Sequence, residues 1–173
     1  FPYTTLFRSM KTLYLLRHAK SSWDDPELKD FERPLSSRGL KDVPVMSDRF
    51  VEKGNLVDCI ICSPAIRAKS TAQRLAKNIG FPQDDMISNA ELYFAGAGMF
   101  LKAASLVDET CASAMLVGHN PAITEFVNMM ADVDIDNIPT CGLVKLGLSV
   151  DTWSDVEFGA ATLLDFDYPK KKV

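Results

Sequence analysis

The sequence predicts an α/β protein: a single-domain layered sheet, mostly parallel, with helices on both faces. Apolar runs of strand length alternate along the chain with longer segments of helical periodicity, a pattern typical of strands joined by helical crossovers. The chain has 173 residues, 47% of them hydrophobic and 24% charged, which is enough to bury one core and too little for two domains of ordinary size.

The first predicted elements are a strand, a long loop, a helix and a second strand. Residues 11–16 form an apolar run of strand length, and residues 22–34 are polar and predict a loop. A helix is expected over residues 37–52, where Pro44 should delay or kink it. The next apolar run, residues 56–62, predicts the second strand.

The second predicted helix has clear start and stop signals. Pro64 suits the first turn of a helix, and Ser63 is expected to cap that turn. The apolar positions continue through Lys77, and Gly80 suits the end of the helix.

The second half of the chain repeats the alternation and closes with two strands. Its predicted elements are a short strand at 85–88, a helix at 98–108, a strand at 112–117, a helix from 121 to about 131, and strands at 142–150 and 156–165. The chain contains no internal repeat and no linker long enough to divide it.

The first nine residues do not fit the pattern that follows. Their string, FPYTTLFRS, resembles the in-frame translation of a common sequencing-adapter oligonucleotide and lacks the long apolar region of a signal peptide. Residues 1–9 are therefore expected to be an artefact or a disordered tail, with Met10 as the biological start. The domain is expected over residues 10–169, and the basic tail at residues 170–173 is expected to be solvated.

Charge and composition argue against several classes of function. The net charge of −4 disfavours nucleic-acid binding, and no apolar run approaches the roughly 20 residues that cross a bilayer. Only one pair of cysteines has metal-like spacing, so reduced, buried thiols in a cytoplasmic protein are expected rather than a zinc site. The cysteines are Cys59, Cys62, Cys111 and Cys141.

Polar residues that suit phosphate chemistry follow three of the predicted strands. Arg17 and His18 end the first strand, Arg67 follows the second, and His119 follows the strand at 112–117. Carboxyl ends of parallel strands share one sheet edge, and helix N-termini there favour anions, so these side chains are expected to converge. His18 and His119 are the only two histidines, and the arginines that accompany them disfavour a metal cation.

Four segments, in this order, resemble the motifs of the histidine phosphatase superfamily, and most closely those of its small SixA-type phosphohistidine phosphatases. Residues 17–24 (RHAKSSWD) are similar to the pattern Arg-His-Gly-Glu-Thr-x-Trp-Asn. Residues 33–39 (RPLSSRG) and 63–71 (SPAIRAKST) are similar to Arg-Pro-Leu-Thr/Ser-x-x-Gly and Ser-Pro-x-x-Arg-Ala-x-x-Thr. Residues 118–121 (GHNP) resemble the segment with the second histidine. The resemblance covers residues 10–126 and implies a phosphoglycerate-mutase-like fold.

The resemblance implies a role for each of four residues, and it implies no metal or other cofactor. His18 would be the nucleophile that attacks phosphorus and forms a phosphohistidine intermediate, which water then hydrolyses. Arg17 and Arg67 would hold the phosphoryl oxygens, and His119 would donate to another oxygen. Nearby guanidinium charges favour the neutral imidazole that attack requires.

Two further residues are implied as substrate contacts. Arg33 would reach the phosphate from the loop at residues 22–34, and Ser21 would give a hydroxyl to the site. The alternatives are a solvated loop arginine and a serine that only caps a turn.

The sequence departs from the family pattern at positions that bear on the chemistry. Ala19 stands where a glycine is usual, and Asp24 stands where larger members carry a phosphate-contacting asparagine. A carboxylate there would repel phosphate unless it pairs, for example with Arg33. Larger members also carry a glutamate as proton donor. Phe94 stands at the position of that glutamate in this sequence, and the nearby Glu91 does not align with it. Without a proton donor, the leaving group must depart easily by itself. A protonated imidazole does so and an alkoxide does not, which favours a substrate with an N–P bond over a sugar phosphate ester.

Three functions stay open at the level of sequence, in this order of preference. The first is metal-independent dephosphorylation of a histidine-phosphorylated protein, such as a histidine-containing phosphotransfer domain. The enzyme is expected to be a cytoplasmic monomer that binds neither nucleic acid nor membrane. The second is hydrolysis of a small phosphate ester, although the short chain leaves little room for an enclosing lid. The third is a phosphate-recognition module without catalysis, which the intact His18, Arg17, Arg67 and His119 disfavour.

Overall fold

A mixed sheet of six strands lies at the centre of the computed structural model, which describes residues 10–94 and 96–172. In chain order the strands are β1 (Lys11–Arg17), β2 (Cys59–Cys62), β3 (Ile87–Ser88), β4 (Ser113–Gly118), β5 (Leu143–Leu148) and β6 (Ala161–Asp167). The α-helices are α1 (Ser37–Glu52), α2 (Ile66–Ile79), α3 (Ala97–Ser105) and α4 (Ala122–Ala131).

The sheet is mostly parallel, as the sequence predicts. Its strands lie side by side in the order β3-β2-β4-β1-β5-β6; the first four are parallel, and β5 runs antiparallel to both of its neighbours, β1 and β6. Strand β1 pairs with β4 so that Arg17 lies opposite Gly118. The residues that follow these two strands, His18 and His119, are thereby brought to the same edge of the sheet.

Helices cover both faces of the sheet, which confirms the predicted fold class. Helices α1 and α2 pack on one face through Val43, Phe50 and Leu75, which are almost inaccessible to water. Helices α3 and α4 cover the other face through Phe100 and Phe126. Because both faces are covered, β1 and β4 consist almost entirely of buried residues instead of alternating between buried and exposed ones.

Helix α1 has the predicted bounds but not the expected delay. The Ser36 hydroxyl caps the helix by accepting a hydrogen bond from the Gly39 N–H at 3.1 Å. The helix begins at Ser37 and continues past Pro44, which lies on its exposed side, as one element. Pro44 removes a single N–H donor, whereas the cap and the buried apolar face stabilise the helix along its whole length.

Helix α2 begins later than predicted. Its first residue is Ile66, and its N-cap position is held by Ala65, which has no side-chain oxygen to offer. The predicted cap, Ser63, instead accepts a bond from the Ala65 N–H at 3.3 Å and contacts His119. The helix is followed by Gly80, whose φ of 79° lies in the left-handed region that glycine adopts without strain.

The last strand also begins later than predicted. The chain forms a short 3-10 helix at Trp153–Asp155, and β6 starts only at Ala161. Trp153 is fully buried, and its indole N–H donates to the Cys111 carbonyl at 2.8 Å. Burial of this large ring holds the segment before β6 against the core and away from the sheet ladder.

The remaining predictions concern the cysteines and the chain ends. Cys59 and Cys62 are free thiols that lie in opposite apolar layers of the sheet, as their spacing predicts. The interpretation of residues 1–9 as an artefact or a tail lies outside the described residues, as does Val173 at the end of the basic tail. No helix within the described residues is both long and apolar enough to cross a membrane.

Candidate active site

The backbone at His18 is fixed at the centre of the sheet's carboxyl edge. The His18 N–H donates to the Gly118 carbonyl at 3.0 Å and so continues the pairing of β1 with β4 beyond the strand. On the other side, the Cys141 N–H lies 3.1 Å from the Arg17 carbonyl oxygen and 3.0 Å from that of His18. Contacts on both sides limit the directions in which the imidazole can point.

The His18 imidazole is buried and has one nitrogen available for attack. The residue is 8% exposed, and its Nδ1 lies 2.7 Å from the Ala19 carbonyl oxygen. A carbonyl oxygen only accepts hydrogen bonds, so Nδ1 carries the proton and Nε2 keeps its lone pair. Burial, assisted by the charges of Arg67 and Arg17, lowers the pKa of His18 to about 3. The ring is therefore neutral at pH 7.

Ala19 connects His18 to helix α2. It is fully buried, and its N–H donates to the Thr71 hydroxyl at 3.0 Å. That hydroxyl in turn donates to the Arg67 carbonyl at 2.7 Å. One turn of α2 therefore holds both the residue after His18 and Arg67. The methyl group of Ala19 fits at the position where the family usually carries glycine.

His119 lies beside His18 in the site. Their ring centroids are 5.1 Å apart, and His119 Nε2 lies 2.8 Å from the Ser63 hydroxyl oxygen. Ser63 is fully buried, and within the described residues Nε2 of His119 is the one acceptor that its hydroxyl proton reaches, so the hydroxyl donates to Nε2 and the imidazole proton lies on Nδ1. Burial, followed by the charge of Arg67, lowers the pKa of His119 to about 4, so this ring is also neutral at pH 7.

Two buried donors in the site have no partner within the described residues. They are Nε of Arg17 and Nδ1 of His119. Another nitrogen of the Arg17 guanidinium, Nη1, donates to the Ile138 carbonyl at 2.8 Å. Burial also lowers the pKa of Arg17. Buried polar groups are almost always hydrogen-bonded, because an unpaired one costs free energy. The two donors therefore indicate a site for an oxyanion.

Arg67 reaches the same edge from the first turn of α2, where Asp30 holds it. Its Nη1 donates to the backbone carbonyl of Asp30 at 2.6 Å, and its Nη2 donates to the carboxylate at 2.9 Å. The Arg67 side chain is 8% exposed and that of Asp30 is 55% exposed, so the carboxylate meets the guanidinium from the solvent side. The charge of Arg67 lowers the pKa of both His18 and His119.

Arg33 and Ser21 lie together in the loop before α1. Nη2 of Arg33 donates to the Ser21 hydroxyl at 2.6 Å, and its Nε donates to the Ser22 carbonyl at 3.1 Å. The guanidinium also lies over the exposed Trp23 ring, 3.2 Å from its centre. Arg33 is buried, which contradicts the alternative of a solvated loop arginine, and Ser21 contacts that arginine.

Asp24 does not pair with Arg33, the example of a partner that the sequence offers. The ion-pair partner of Arg33 is Asp30, at 3.3 Å, because the short 3-10 helix between them brings the two side chains to the same side. Glu91 does not align with the glutamate of larger family members, and it pairs with a lysine of α3 at 2.9 Å. Phe94, at the position of that acid, is 90% exposed.

Sequence reasoning missed three residues of this site. Asp30 lies three residues before Arg33, a spacing that suits a local ion pair and could have identified it. Ser63 stands in a recognised motif but was interpreted as a helix cap. Tyr93 donates to Asp30 at 2.8 Å and its ring centroid lies 5.6 Å from that of His119. No signal in the sequence points to this tyrosine.

The fold and the site together define a class of protein. A mostly parallel α/β sheet presents two neutral imidazoles at one edge, where the charges of Arg17 and Arg67 act on both rings. Guanidinium groups suit phosphoryl oxygens, and a neutral imidazole nitrogen can attack phosphorus. Within the described part of the chain, no group of three or more His, Cys, Asp or Glu residues is arranged to hold a metal ion. This arrangement suits a protein that binds or transfers a phosphoryl group.

Comparison with known proteins supports this class. The family model of the histidine phosphatase superfamily (branch 1) matches residues 13–93. SixA from Agrobacterium tumefaciens is similar in structure, with a TM-score of 0.78 and 28% identity over 92% of this chain and 98% of that one. A protein histidine phosphatase SixA complexed with tungstate has a TM-score of 0.77 at 19% identity, over 91% and 97% of the two chains. An uncharacterized protein of Mycobacterium tuberculosis is 28% identical over 166 residues, 90% of this chain and the whole of that protein.

Residues 13–93 are thus similar to the histidine phosphatase superfamily, and nearly the whole chain is similar in fold to SixA of Agrobacterium tumefaciens. The family match begins in β1 and ends at Tyr93, so it includes His18, Arg33 and Arg67, whereas His119 follows it. The phosphoglycerate-mutase-like fold implied by the sequence is confirmed by the structural similarity, which extends over nearly the whole chain.

Proposed function

We propose that the protein is a metal-independent phosphohistidine phosphatase that acts on a histidine-phosphorylated protein through a covalent phosphohistidine on His18. The observation that carries this proposal is the neutral His18 ring. Its protonated Nδ1 faces the Ala19 carbonyl, which leaves the Nε2 lone pair for attack on phosphorus. The unpaired buried donors of Arg17 and His119 supply an oxyanion site beside it.

The reaction takes two steps, with Nε2 of His18 as the temporary carrier. Nε2 attacks phosphorus while the substrate's N–P bond breaks, and the bonding pair leaves with the substrate imidazole. This imidazole departs as a neutral ring because its other nitrogen carries a proton. Water then attacks phosphorus, the bond to Nε2 breaks, and phosphate and a proton are released. His18 returns to its neutral form.

Fixed donors stabilise the charge that develops on the phosphoryl oxygens in both steps. Arg17 Nε–H and His119 Nδ1–H are held in place by their other bonds, so they need no reorganisation when the charge appears. Arg67 uses two of its five N–H groups on Asp30 and can direct the others to the phosphoryl group. Loss of one such donor typically lowers kcat by about 100- to 1,000-fold.

The carboxylates around the site favour imidazole as the leaving group. Burial raises the pKa of Asp30, but hydrogen bonds from Tyr93 and Arg67 outweigh burial, and its pKa lies below the ordinary value. Asp30 is therefore ionised and cannot give a proton, and Glu91 is paired with a lysine. An alkoxide leaving group needs such a proton, whereas a protonated imidazole does not.

The proposed substrate is a protein and not free phosphohistidine alone. The similarity to SixA proteins, one of them described as a protein histidine phosphatase, supports this choice. The partner class that fits is the histidine-containing phosphotransfer domain. Our proposal places the reaction in the cytoplasm, with the enzyme as a monomer that requires neither a nucleic acid nor a membrane.

A small phosphate ester is the second candidate substrate. Structures similar to this one include a mycobacterial glucosyl-3-phosphoglycerate phosphatase, with a TM-score of 0.64 at 13% identity. Identity at this level supports only the common fold, and the ionised Asp30 gives an alcohol leaving group no proton. We therefore rank this candidate second.

Phosphate release from matched substrates tests the proposal. A phosphotransfer domain phosphorylated on histidine would be compared with a panel of sugar and glycerate phosphates, in chelator-treated buffer and with His18→Ala as control. We expect kcat/KM for the phosphorylated domain to exceed that for every ester by about 100-fold or more. Faster release from an ester would favour the second candidate. Tight phosphate binding without turnover of any substrate would show a recognition module and refute both.

A further inference from the structure

Asp30 contacts more of the candidate site than any role assigned above requires. Its carboxylate accepts bonds from Arg67 Nη2 at 2.9 Å, Arg33 Nη1 at 3.3 Å and the Tyr93 hydroxyl at 2.8 Å. Its backbone carbonyl accepts a further bond from Arg67 Nη1 at 2.6 Å. One loop residue thus joins two arginines of the site to a tyrosine whose ring lies 5.6 Å from that of His119.

The geometry of these bonds orients Arg67. The two terminal nitrogens of the guanidinium bind two different acceptors of Asp30, which fixes the guanidinium plane as a bidentate pair does. The half-exposed carboxylate and the backbone carbonyl of Asp30 take one N–H of each terminal nitrogen, which leaves the Nε–H and the remaining N–H groups for another acceptor. A long side chain with several rotatable bonds would otherwise sample many positions.

We propose that Asp30 is a positioning residue, which aims Arg67 at the phosphoryl group and connects Arg33 to the same arrangement. This inference rests on the proposed function, because it assumes that Arg67 holds phosphoryl oxygens. Asp30 is not itself in contact with the reacting atoms, and its paired oxygens have no proton to donate. Catalytic groups must be held close to their productive geometry, and a displacement of about 1 Å can cost about 100-fold in rate.

The opposite role for Asp30 makes an opposite prediction. If the carboxylate only competes with the phosphoryl group for Arg67, its removal would strengthen anion binding and raise kcat/KM. If it positions Arg67, its removal lowers kcat in spite of the gain in positive charge. The sign of the effect therefore separates the two roles.

The test compares Asp30→Asn with Asp25→Asn, which makes the same charge change in the same loop. The exposed Asp25 accepts a bond from the Glu27 N–H at 3.0 Å, which an asparagine oxygen can also accept. Under single-turnover conditions with excess enzyme, we expect Asp30→Asn to slow phosphoryl transfer by about 10- to 100-fold and Asp25→Asn by less than about 2-fold. Thermal unfolding would verify that each variant is folded.

A double-mutant cycle shows whether Asp30 acts through Arg67. In an Arg67→Ala background, Asp30→Asn should slow the reaction by less than about 2-fold, because the residue that it positions is gone. An equal loss in both backgrounds, or faster turnover of Asp30→Asn, would overturn the proposal.

Binding of orthovanadate provides a second readout that does not depend on the substrate. If the wild-type protein bound orthovanadate but released no phosphate from phosphohistidine, the proposed function would fail while the role of Asp30 could still be measured. We expect Asp30→Asn to weaken orthovanadate binding by about 10-fold and Asp25→Asn to leave it unchanged. Tighter binding by Asp30→Asn would show competition and reject the positioning role.

Discussion

The stability of the protein should fall between pH 7 and pH 5, because folding keeps two histidines neutral. Burial lowers the pKa of His18 to about 3 and that of His119 to about 4, whereas an unfolded histidine has a pKa of about 6.5. Below pH 6.5 the unfolded chain therefore binds protons that the folded chain does not. The free energy of unfolding then rises with pH and is lost as the pH falls.

The size of the effect follows from these pKa values. Each unfolded imidazole gains about 2 kcal/mol from protonation between pH 7 and pH 5, so the two histidines together remove about 4 kcal/mol of stability. This loss of stability depends little on the pKa values of the two histidines in the folded protein, since values of about 3 and about 4 both lie below pH 5. Carboxylates contribute little in this interval. The loss is a large part of the roughly 5–15 kcal/mol that stabilises an ordinary domain.

Urea denaturation followed by circular dichroism at pH 5, 6 and 7 measures this loss. The buffers must lack phosphate, because an anion bound to the folded state would stabilise it. His18→Asn and His119→Asn should each remove about half of the pH dependence. An unfolding free energy that is equal at pH 7 and pH 5 would refute the reasoning, as would a dependence that survives both substitutions. Either result would mean that the folded imidazoles accept protons freely.

Two substitutions test the contacts that shape the site. Ser63→Ala should lower the free energy of unfolding by about 1–3 kcal/mol, because it leaves Nε2 of His119 buried without a partner. It should also lower kcat more than KM, and an unchanged kcat would show that Ser63 does not orient His119. Gly39→Ala should cost about 1–3 kcal/mol in urea denaturation, because its Cβ would overlap the backbone carbonyl of Lys20. Gly98→Ala is the matched control, since a Cβ there meets open space and should be neutral or stabilising; equal losses at the two glycines would contradict the packing argument.

The location of the site could be predicted from the sequence because the signals are local. Apolar runs and caps fix the strands and helices, and the carboxyl ends of parallel strands share an edge. Once β1 and β4 pair, Arg17 and His18 must lie near His119. Helix α1 was predicted over residues 37–52, as the structure has it, because apolar residues recur at helical spacing along that stretch.

Contacts between distant segments could not be predicted in the same way. The Ser63 hydroxyl satisfies the local signal of a helix cap, yet in the fold it binds a histidine 56 residues away. Both roles need only a hydroxyl, so a local pattern cannot separate them. The bond from Tyr93 to Asp30 spans 63 residues and depends on how two loops meet above the sheet edge. The late start of β6 likewise results from burial of Trp153, which no periodicity reveals.

Trapping the phosphorylated enzyme tests the central claim most directly. The protein would be mixed with a histidine-phosphorylated phosphotransfer domain and quenched in alkali within milliseconds. Mass spectrometry under non-acidic conditions and phosphorus NMR would then locate the phosphoryl group. We predict one acid-labile, alkali-stable phosphoryl group on Nε2 of His18, and neither label nor turnover in His18→Ala. A phosphoryl group on another residue, or full turnover by His18→Ala, would contradict the account.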